Sequence, residues 1–210
     1  MARNRAVVLV GPMAVGKSAV GRMLAERIDA RFIDTDRLIV EQHGSIAGIF
    51  ARQGEEAFRT IEADVVRAAL AEDAVVSLGG GAVLHPRTRD LLQDATVIFL
   101  DTDLATVLPR IGGESGRPLL AGRPAERWQA LYDARRPVYA ALATTVVDTR
   151  GLSVRGVTAA VLRALPALHR SDGPRGGDEA PTATHDTTHD STYDSTPDLN
   201  HESGTRPHGH

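Results

Sequence analysis

The feature that most constrains this chain is a glycine-rich octapeptide that follows a short apolar run and precedes a helical pattern. It fits G-x-x-x-x-G-K-[ST], a motif that requires a strand before it and a helix after it. The run Ala6–Val10 predicts the strand, and Lys17–Ile28, with its apolar residues on one stripe, predicts the helix. Such an order is typical of α/β architectures. The octapeptide consists of Gly11, Pro12, Met13, Ala14, Val15, Gly16, Lys17 and Ser18.

Short apolar runs alternate with longer helical stretches along residues 1–165. Runs of this kind are typical of strands covered on both faces, and the alternation predicts right-handed crossovers and a parallel sheet. We therefore expect an α/β fold with a five-stranded parallel sheet flanked by helices on both faces. Further helices are predicted over Glu55–Ala71 and Trp128–Leu142, and Pro137 is expected to break or kink the latter. The remaining predicted strands are Arg31–Asp34, Val75–Leu78, Thr96–Leu100 and Thr145–Asp148.

The octapeptide predicts a binding site for the phosphates of ATP. Its glycines let the chain wrap around phosphate oxygens, and the following helix adds partial positive charge at its N-terminus. Lys17, the only lysine of the chain, is expected to reach the β- and γ-phosphates. The Ser18 hydroxyl is expected to ligate Mg²⁺.

Two carboxylates, Asp34 and Asp36, stand at the predicted end of the second strand. At positions i and i+2 of a strand they would point the same way. Next to a magnesium–nucleotide complex, one would hold the water shell of the metal and the other would orient or deprotonate an acceptor hydroxyl. The alternative is that both cap a helix at Arg37–Gln42, and Asp36 is able to do both.

Composition limits the function classes. The formal net charge of −3 gives no electrostatic argument for nucleic acid as a partner. The absence of cysteine excludes disulfides and thiolate metal sites. The N-terminal apolar run is too short for a signal peptide, and with no long apolar stretch we expect a cytoplasmic protein that does not enter a membrane. Without coiled-coil heptads, a monomer is the default expectation.

The last part of the chain, residues 166–210, has a different composition from the rest. It is built mainly from Asp, Thr, Ser, His, Gly and Pro, with a loose repeat around 184–196. A segment of this kind cannot bury enough apolar surface to offset chain entropy. We therefore predict one domain over residues 1–165 and a disordered low-complexity tail over residues 166–210.

Five motifs in the same order resemble the shikimate kinases. They are Asp34-Thr35-Asp36, Gly54-Glu55-Glu56-Ala57-Phe58-Arg59, Ser77-Leu78-Gly79-Gly80-Gly81-Ala82, Arg117-Pro118-Leu119-Leu120 and Arg135-Arg136-Pro137-Val138-Tyr139. The resemblance covers residues 5–165. It implies a P-loop kinase fold with a lid segment and the ATP-dependent phosphorylation of a hydroxyl of shikimate, with Mg²⁺ as the metal.

The resemblance also implies roles for individual residues on the acceptor side. Asp36 would bind the hydroxyls of shikimate and position the attacking one, while Asp34 would lie in the outer shell of the magnesium. Arg59 and Arg135 would pair with the substrate carboxylate, because a guanidinium can donate two parallel hydrogen bonds to a carboxylate. Gly79, Gly80 and Gly81 would let the backbone come close to the ring.

On the nucleotide side, the resemblance implies a lid at about residues 112–124. Arg117 would bring positive charge to the transferring phosphoryl group, although the alternative is a solvated loop charge. Arg110 would face the adenine. Arg150 is a further candidate for nucleotide contact, but its loop lacks the proline that family members often carry there.

Two alternatives remain at the level of the sequence. The first is a related P-loop kinase that acts on gluconate or a nucleoside monophosphate. Nucleoside monophosphate sites often gather several arginines around a second phosphate, whereas one aspartate and two separated arginines suit a ligand with hydroxyls and a single carboxylate better. The second is a nucleotide-binding regulatory module without catalysis. The presence of Lys17, Ser18, Asp34, Asp36 and Arg117 argues against this second alternative.

Overall fold

A computed structural model describes residues 6–111 and 123–165 of this protein. The predicted lid, apart from its last two residues, and the predicted tail lie outside the described residues, as does Arg117. Within the described part, the strands are β1 (Val7–Val10), β2 (Arg31–Asp34), β3 (Ala74–Ser77), β4 (Thr96–Asp101) and β5 (Thr145–Asp148). The helices are α1 (Lys17–Arg27), α2 (Thr35–His43), α3 (Ile46–Leu70), α4 (Pro86–Leu92), α5 (Leu104–Ile111), α6 (Pro124–Leu142) and α7 (Val154–Ala164).

The strands form one parallel sheet in the order β2-β3-β1-β4-β5. Strand β1 lies at its centre, where Val7 is in register with Val75 on one side and Thr96 on the other. The structure confirms the predicted five-stranded parallel sheet, and the predicted strand bounds are correct to within one residue at each end. The central position of β1 places the octapeptide at the middle of the carboxyl edge of the sheet.

Alternate side chains of the strands pack on opposite faces of the sheet. Val8 and Val10 of β1 join an apolar cluster with α3, α4 and α6. Val7 and Leu9 join a second cluster with α1 and α7. Because both faces are covered, the three inner strands β1, β3 and β4 are buried along nearly their whole length, which explains why they do not alternate between apolar and polar residues. The edge strands β2 and β5 are partly exposed, and each has two polar residues.

The predicted helices Glu55–Ala71 and Trp128–Leu142 both belong to longer observed helices. Helix α3 runs from Ile46 to Leu70 but is interrupted at Gly54, whose φ of 82° and ψ of 177° are not helical; its second part begins at Glu55, as predicted, and its first part was not predicted. The first part was missed because it is short and ends at this glycine. Helix α6 is not broken at Pro137 but continues to Leu142. Side chains on both sides of Pro137 are held by tertiary hydrogen bonds, Arg136 to Asp101 and Tyr139 to Gly80, which support the helix across the proline.

Among the described residues, no helix is long and apolar enough to cross a membrane.

Candidate active site

A cleft of about 530 Å³ opens at the carboxyl ends of β1, β2 and β3. This is the edge at which parallel α/β sheets usually bind ligands. The octapeptide of residues 11–18, which we call the phosphate loop, forms one wall, and the end of β2 and the start of α2 form another. The lining residues are Met13, Ala14, Gly16, Lys17, Ser18, Ala19, Asp34, Asp36, Ser77, Leu78, Gly80, Arg110 and Val154.

The backbone of the phosphate loop has a positive φ at three residues, Gly11, Ala14 and Gly16. Gly11 has a φ of 144° and Gly16 a φ of 104°, which are values that glycine adopts readily. At Gly11 a side chain is excluded as well, because a Cβ atom would lie 2.6 Å from the carbonyl oxygen of Leu100. Ala14, with a φ of 65°, adopts the left-handed conformation although it carries a side chain. The loop therefore has a strained residue next to its tip.

The side chain of Lys17 folds back over the start of the phosphate loop. Its Nζ donates hydrogen bonds to the carbonyl oxygens of Gly11 at 2.8 Å and Pro12 at 2.9 Å. Burial lowers the pKa of Lys17 to about 8, against the attraction of Asp36 and Asp34. The ammonium group is thus stabilised mainly by carbonyl oxygens and two nearby carboxylates, and these are interactions that phosphate oxygens can replace.

Ser18 and Asp34 meet directly beside the loop. The Ser18 hydroxyl donates to Oδ2 of Asp34 at 2.5 Å, and the other carboxylate oxygen accepts from the backbone N–H of Arg37 at 3.3 Å. Asp34 therefore caps α2, which begins at Thr35 and not at the predicted Arg37. Asp36 is not a cap: it lies in the first turn of the helix.

Asp36 still shares the cleft with Asp34, but not for the reason that the strand pattern predicted. Only Asp34 belongs to β2, and the turn of the helix brings Asp36 toward the cleft. Burial raises the pKa of Asp36, and the positive charge of Lys17 opposes this increase. A carboxylate with a raised pKa near a lysine is suited to accept a proton from a hydroxyl.

Arg59 is held by two glutamates on its own helix. Its Nη1 donates to Glu62 at 2.6 Å and its Nη2 donates to Glu55 at 3.3 Å. The Glu62 side chain is only 2% exposed. Burial raises its pKa to about 7, although Arg59 and Arg135 both favour the charged form.

Sequence reasoning did not find Glu62. A signal was present, because Glu62 lies on the same stripe of α3 as Val65, Val66 and Ala69, all of which are buried. A glutamate on an apolar stripe needs a charged partner inside the protein. Other cleft residues were also missed, and for these no residue type distinguishes a cleft position from a core or loop position: Ala19, Ser77, Leu78 and Val154.

Of the three glycines after β3, two lie against neighbouring side chains that leave no space for a Cβ atom. A Cβ atom on Gly79 would overlap the carboxylate of Asp36, and one on Gly81 would lie 2.7 Å from the Arg59 guanidinium. Gly80 has space for a Cβ atom, with its nearest neighbours at 3.6 Å, and its carbonyl oxygen accepts from Arg135 at 3.3 Å. Of the three, only Gly80 lines the cleft itself.

The structure brings the other predicted nucleotide residues together only in part. Arg110 lines the cleft, and its Nη1 donates to the carbonyl oxygen of Ala14 at 3.0 Å. Arg150 does not line it: its guanidinium pairs with Asp148, which also accepts from the Arg150 backbone. Arg59 and Arg135 are outside the lining set and contact residues close to it.

The sheet order and the phosphate loop after its central strand, with two carboxylates in the same cleft, define the fold of a P-loop kinase. The sequence profile of the family "Shikimate kinase" matches residues 13–166. The shikimate kinase of Streptomyces coelicolor is 48% identical over 161 residues, which cover 76% of this chain and 94% of the relative. The shikimate kinase of Mycobacterium marinum is 50% identical over 145 residues, 68% of this chain and 79% of the relative.

A solved structure, the shikimate kinase from Acinetobacter baumannii in complex with shikimate, is similar with a TM-score of 0.71 and 33% identity. The similarity covers 75% of this chain and 90% of that one. This chain belongs to the shikimate kinase family.

Proposed function

We propose that this protein transfers the γ-phosphoryl group of ATP to a ring hydroxyl of shikimate, which gives shikimate 3-phosphate and ADP, a step of chorismate and aromatic amino acid biosynthesis. The observation that carries the proposal is that Lys17 of the phosphate loop and Asp36 line one cleft and interact electrostatically. A phosphate donor and a hydroxyl acceptor would therefore meet between them. Family membership supports shikimate as the acceptor.

The residues around Ser18 fit a magnesium ion. Mg²⁺ prefers hard oxygen ligands and usually keeps several waters, and here a hydroxyl and a carboxylate lie together beside the phosphate loop. Ser18 would coordinate the ion, and Asp34 would hold its water shell. When bound, Mg²⁺ neutralises charge on the β- and γ-phosphates.

The reaction we propose is a direct in-line transfer. The acceptor oxygen forms a bond to the γ-phosphorus while the bond from that phosphorus to the β,γ-bridging oxygen breaks. Asp36 orients the hydroxyl and takes its proton, for which its raised pKa is suited. Lys17 moves from the loop carbonyls to the phosphate oxygens and stabilises the charge that spreads over them. Arg117 is proposed to add positive charge to the same group.

On the acceptor side, Arg59 and Arg135 are proposed to bind the substrate carboxylate. Arg59 donates to the buried carboxyl of Glu62, and the charges of both arginines favour the ionised form of that carboxyl. Gly79 and Gly81 leave space for Asp36 and Arg59 in their observed positions. Shikimate has one carboxylate and several hydroxyls, so this set of groups complements it.

The test is ADP release by the purified protein with Mg²⁺ and ATP, measured with shikimate, quinate, gluconate and nucleoside monophosphates in separate reactions. We expect release that depends on shikimate. Release with gluconate or a nucleoside monophosphate instead would refute shikimate as the acceptor. Binding of ATP without release in any reaction would favour a regulatory module.

Asp36→Asn tests the role of the acceptor carboxylate in the same assay. We expect the substitution to lower kcat by about 10²–10⁴-fold, the usual contribution of general base catalysis, while ATP still binds. A variant with normal turnover would show that Asp36 has another role.

Assembly and location are part of the proposal. We propose a monomeric, cytoplasmic enzyme whose catalytic unit ends near Leu165 and whose partners are small molecules. Size-exclusion chromatography with light scattering, with and without substrates, measures the oligomeric state directly. A stable dimer would contradict this part of the proposal and leave the reaction unaffected.

A further inference from the structure

Helix α6 contacts both sides of the cleft with one face. Its residues 128, 132, 135 and 139 follow each other at intervals of three or four, so their side chains form one stripe. At the C-terminal end of this stripe, Arg135 and Tyr139 donate to the carbonyl oxygen of Gly80, which follows β3. At the other end, Nε1 of Trp128 donates to the carbonyl oxygen of Met13 at 3.0 Å.

The hydrogen bond from Trp128 to Met13 binds a carbonyl oxygen of the phosphate loop next to the strained residue Ala14. A loop that binds phosphate must present its N–H groups to the ligand, so its carbonyl oxygens have to point away. Two side chains from outside the loop bind successive carbonyl oxygens: Trp128 binds that of Met13 and Arg110 that of Ala14. Ala14 holds an unfavourable left-handed conformation, and such a residue persists only where the surroundings hold it.

Trp128 itself is rigidly placed. Its side chain is 1% exposed and packs with Val107 and Ile111 of α5, and Met13 packs against this cluster. The indole stacks on the ring of Tyr132, with ring centres 5.0 Å apart and an angle of 12° between the planes.

The end of β4 holds this stack in place. The Tyr132 hydroxyl donates to Oδ1 of Asp101 at 2.7 Å, and Arg136 pairs with the other oxygen of that carboxylate at 2.8 Å. Arg136 also donates to the Tyr132 hydroxyl. The indole N–H therefore has little freedom, and its direction is set by the sheet.

We propose that Trp128 is a positioning residue for the nucleotide: its indole N–H holds the Met13 carbonyl so that the tip of the phosphate loop keeps its binding conformation. The proposal rests on the proposed function only in taking a magnesium–adenine nucleotide as the ligand, and it does not depend on the acceptor. The simpler alternative is that Trp128 only fills space between α5 and α6.

Trp128→Phe separates the two roles, because it keeps an aromatic ring in the cluster and removes the N–H donor. The matched control is Gln129→Ala, which removes an amide hydrogen bond to Asp133 from the neighbouring position of the same helix. For each variant, calorimetry gives the Kd of Mg²⁺–ADP and of shikimate, and urea unfolding gives the stability.

We expect Trp128→Phe to raise the Kd of Mg²⁺–ADP about tenfold, the effect of losing one hydrogen bond to a partly buried acceptor, and to change the Kd of shikimate by less than about twofold. Gln129→Ala should change neither. An unchanged nucleotide Kd, or equal changes in both dissociation constants, would overturn the proposal. If the wild type binds nucleotide but does not phosphorylate shikimate, only the proposed function fails.

A second substitution decides the matter if Trp128→Phe does not fold. Because Trp128 is the only tryptophan of the chain, a benzothienylalanine in place of tryptophan enters at this position alone. Its sulfur replaces the ring N–H with little change in volume or stacking. The same selective rise in the Kd of Mg²⁺–ADP supports the proposal, and a Kd equal to that of the wild type refutes it.

Discussion

Glu62→Gln is expected to change how the stability of this protein depends on pH. The Glu62 carboxyl is almost fully buried and pairs with Arg59, which is 14% exposed. Glutamine has nearly the same shape, carries no charge and does not titrate. The substitution therefore removes the ionisation of one buried group while the packing of α3 against the cleft is retained.

The size of the effect follows from the pKa of Glu62, which burial raises from 4.5 to about 7 in the folded protein. The folded state then binds more protons than the unfolded state between about pH 4.5 and pH 7, so the wild type loses stability as pH rises through this window. At about 1.4 kcal/mol per pKa unit, the full loss is about 3 kcal/mol. The glutamine variant lacks this loss.

Urea unfolding from about pH 5 to pH 8 measures the unfolding free energy of the wild type and of Glu62→Gln. We expect the difference between the two to shift by up to about 3 kcal/mol in favour of the variant as pH rises. The control is Glu55→Gln, which removes the other carboxylate next to Arg59. The Glu55 side chain is 68% exposed, and its ion pair should contribute little at any pH. Parallel stability curves for the wild type and Glu62→Gln would refute the reasoning, because burial would then not favour the neutral acid.

Three further predictions concern the loop, the glycines and the tail. Ala14→Gly relieves a left-handed conformation that costs about 1–2 kcal/mol for a residue with a side chain, against about 0.5–1 kcal/mol of added chain entropy, so a small net gain in unfolding free energy is expected and a loss would contradict it. Gly79→Ala should cost about 1–3 kcal/mol in urea unfolding because its methyl group overlaps Asp36, whereas Gly80→Ala, which has space, should cost much less; equal costs would show that the overlap is relieved freely. Deletion of residues 166–210 should leave the unfolding free energy and the kcat with shikimate unchanged, and a large loss of either would show that the catalytic unit extends beyond Leu165.

Much of the fold was predictable because it depends on local patterns. Each run that was predicted as a strand is a strand, and the pattern is clearest in the three inner strands, because a strand buried on both faces has few polar positions. The octapeptide marked the turn from β1 to α1 through its glycines and its lysine. The unbroken α6 was not predicted, because hydrogen bonds to distant residues hold the helix on both sides of Pro137.

Only part of the candidate site was predicted from the sequence. Asp34 and Asp36 do line one cleft, but Asp36 does so from a helix and not from a strand. Arg150 pairs with Asp148, a local ion pair that the motif did not suggest. Glu62 was missed because a single glutamate in a helical pattern gives no direct sign of its partner.

By itself, the sequence determined the positions of the five strands, the phosphate loop and the family, because these depend on residue types at fixed short spacings. Only the tertiary structure decided which distant groups meet. It placed the Trp128 indole on the Met13 carbonyl, the Asp36 carboxylate against Gly79, and Glu62 beside Arg59 inside the protein. The physical reason is that burial and the directions of hydrogen bonds depend on packing between elements far apart in the chain, and no local spacing records that packing.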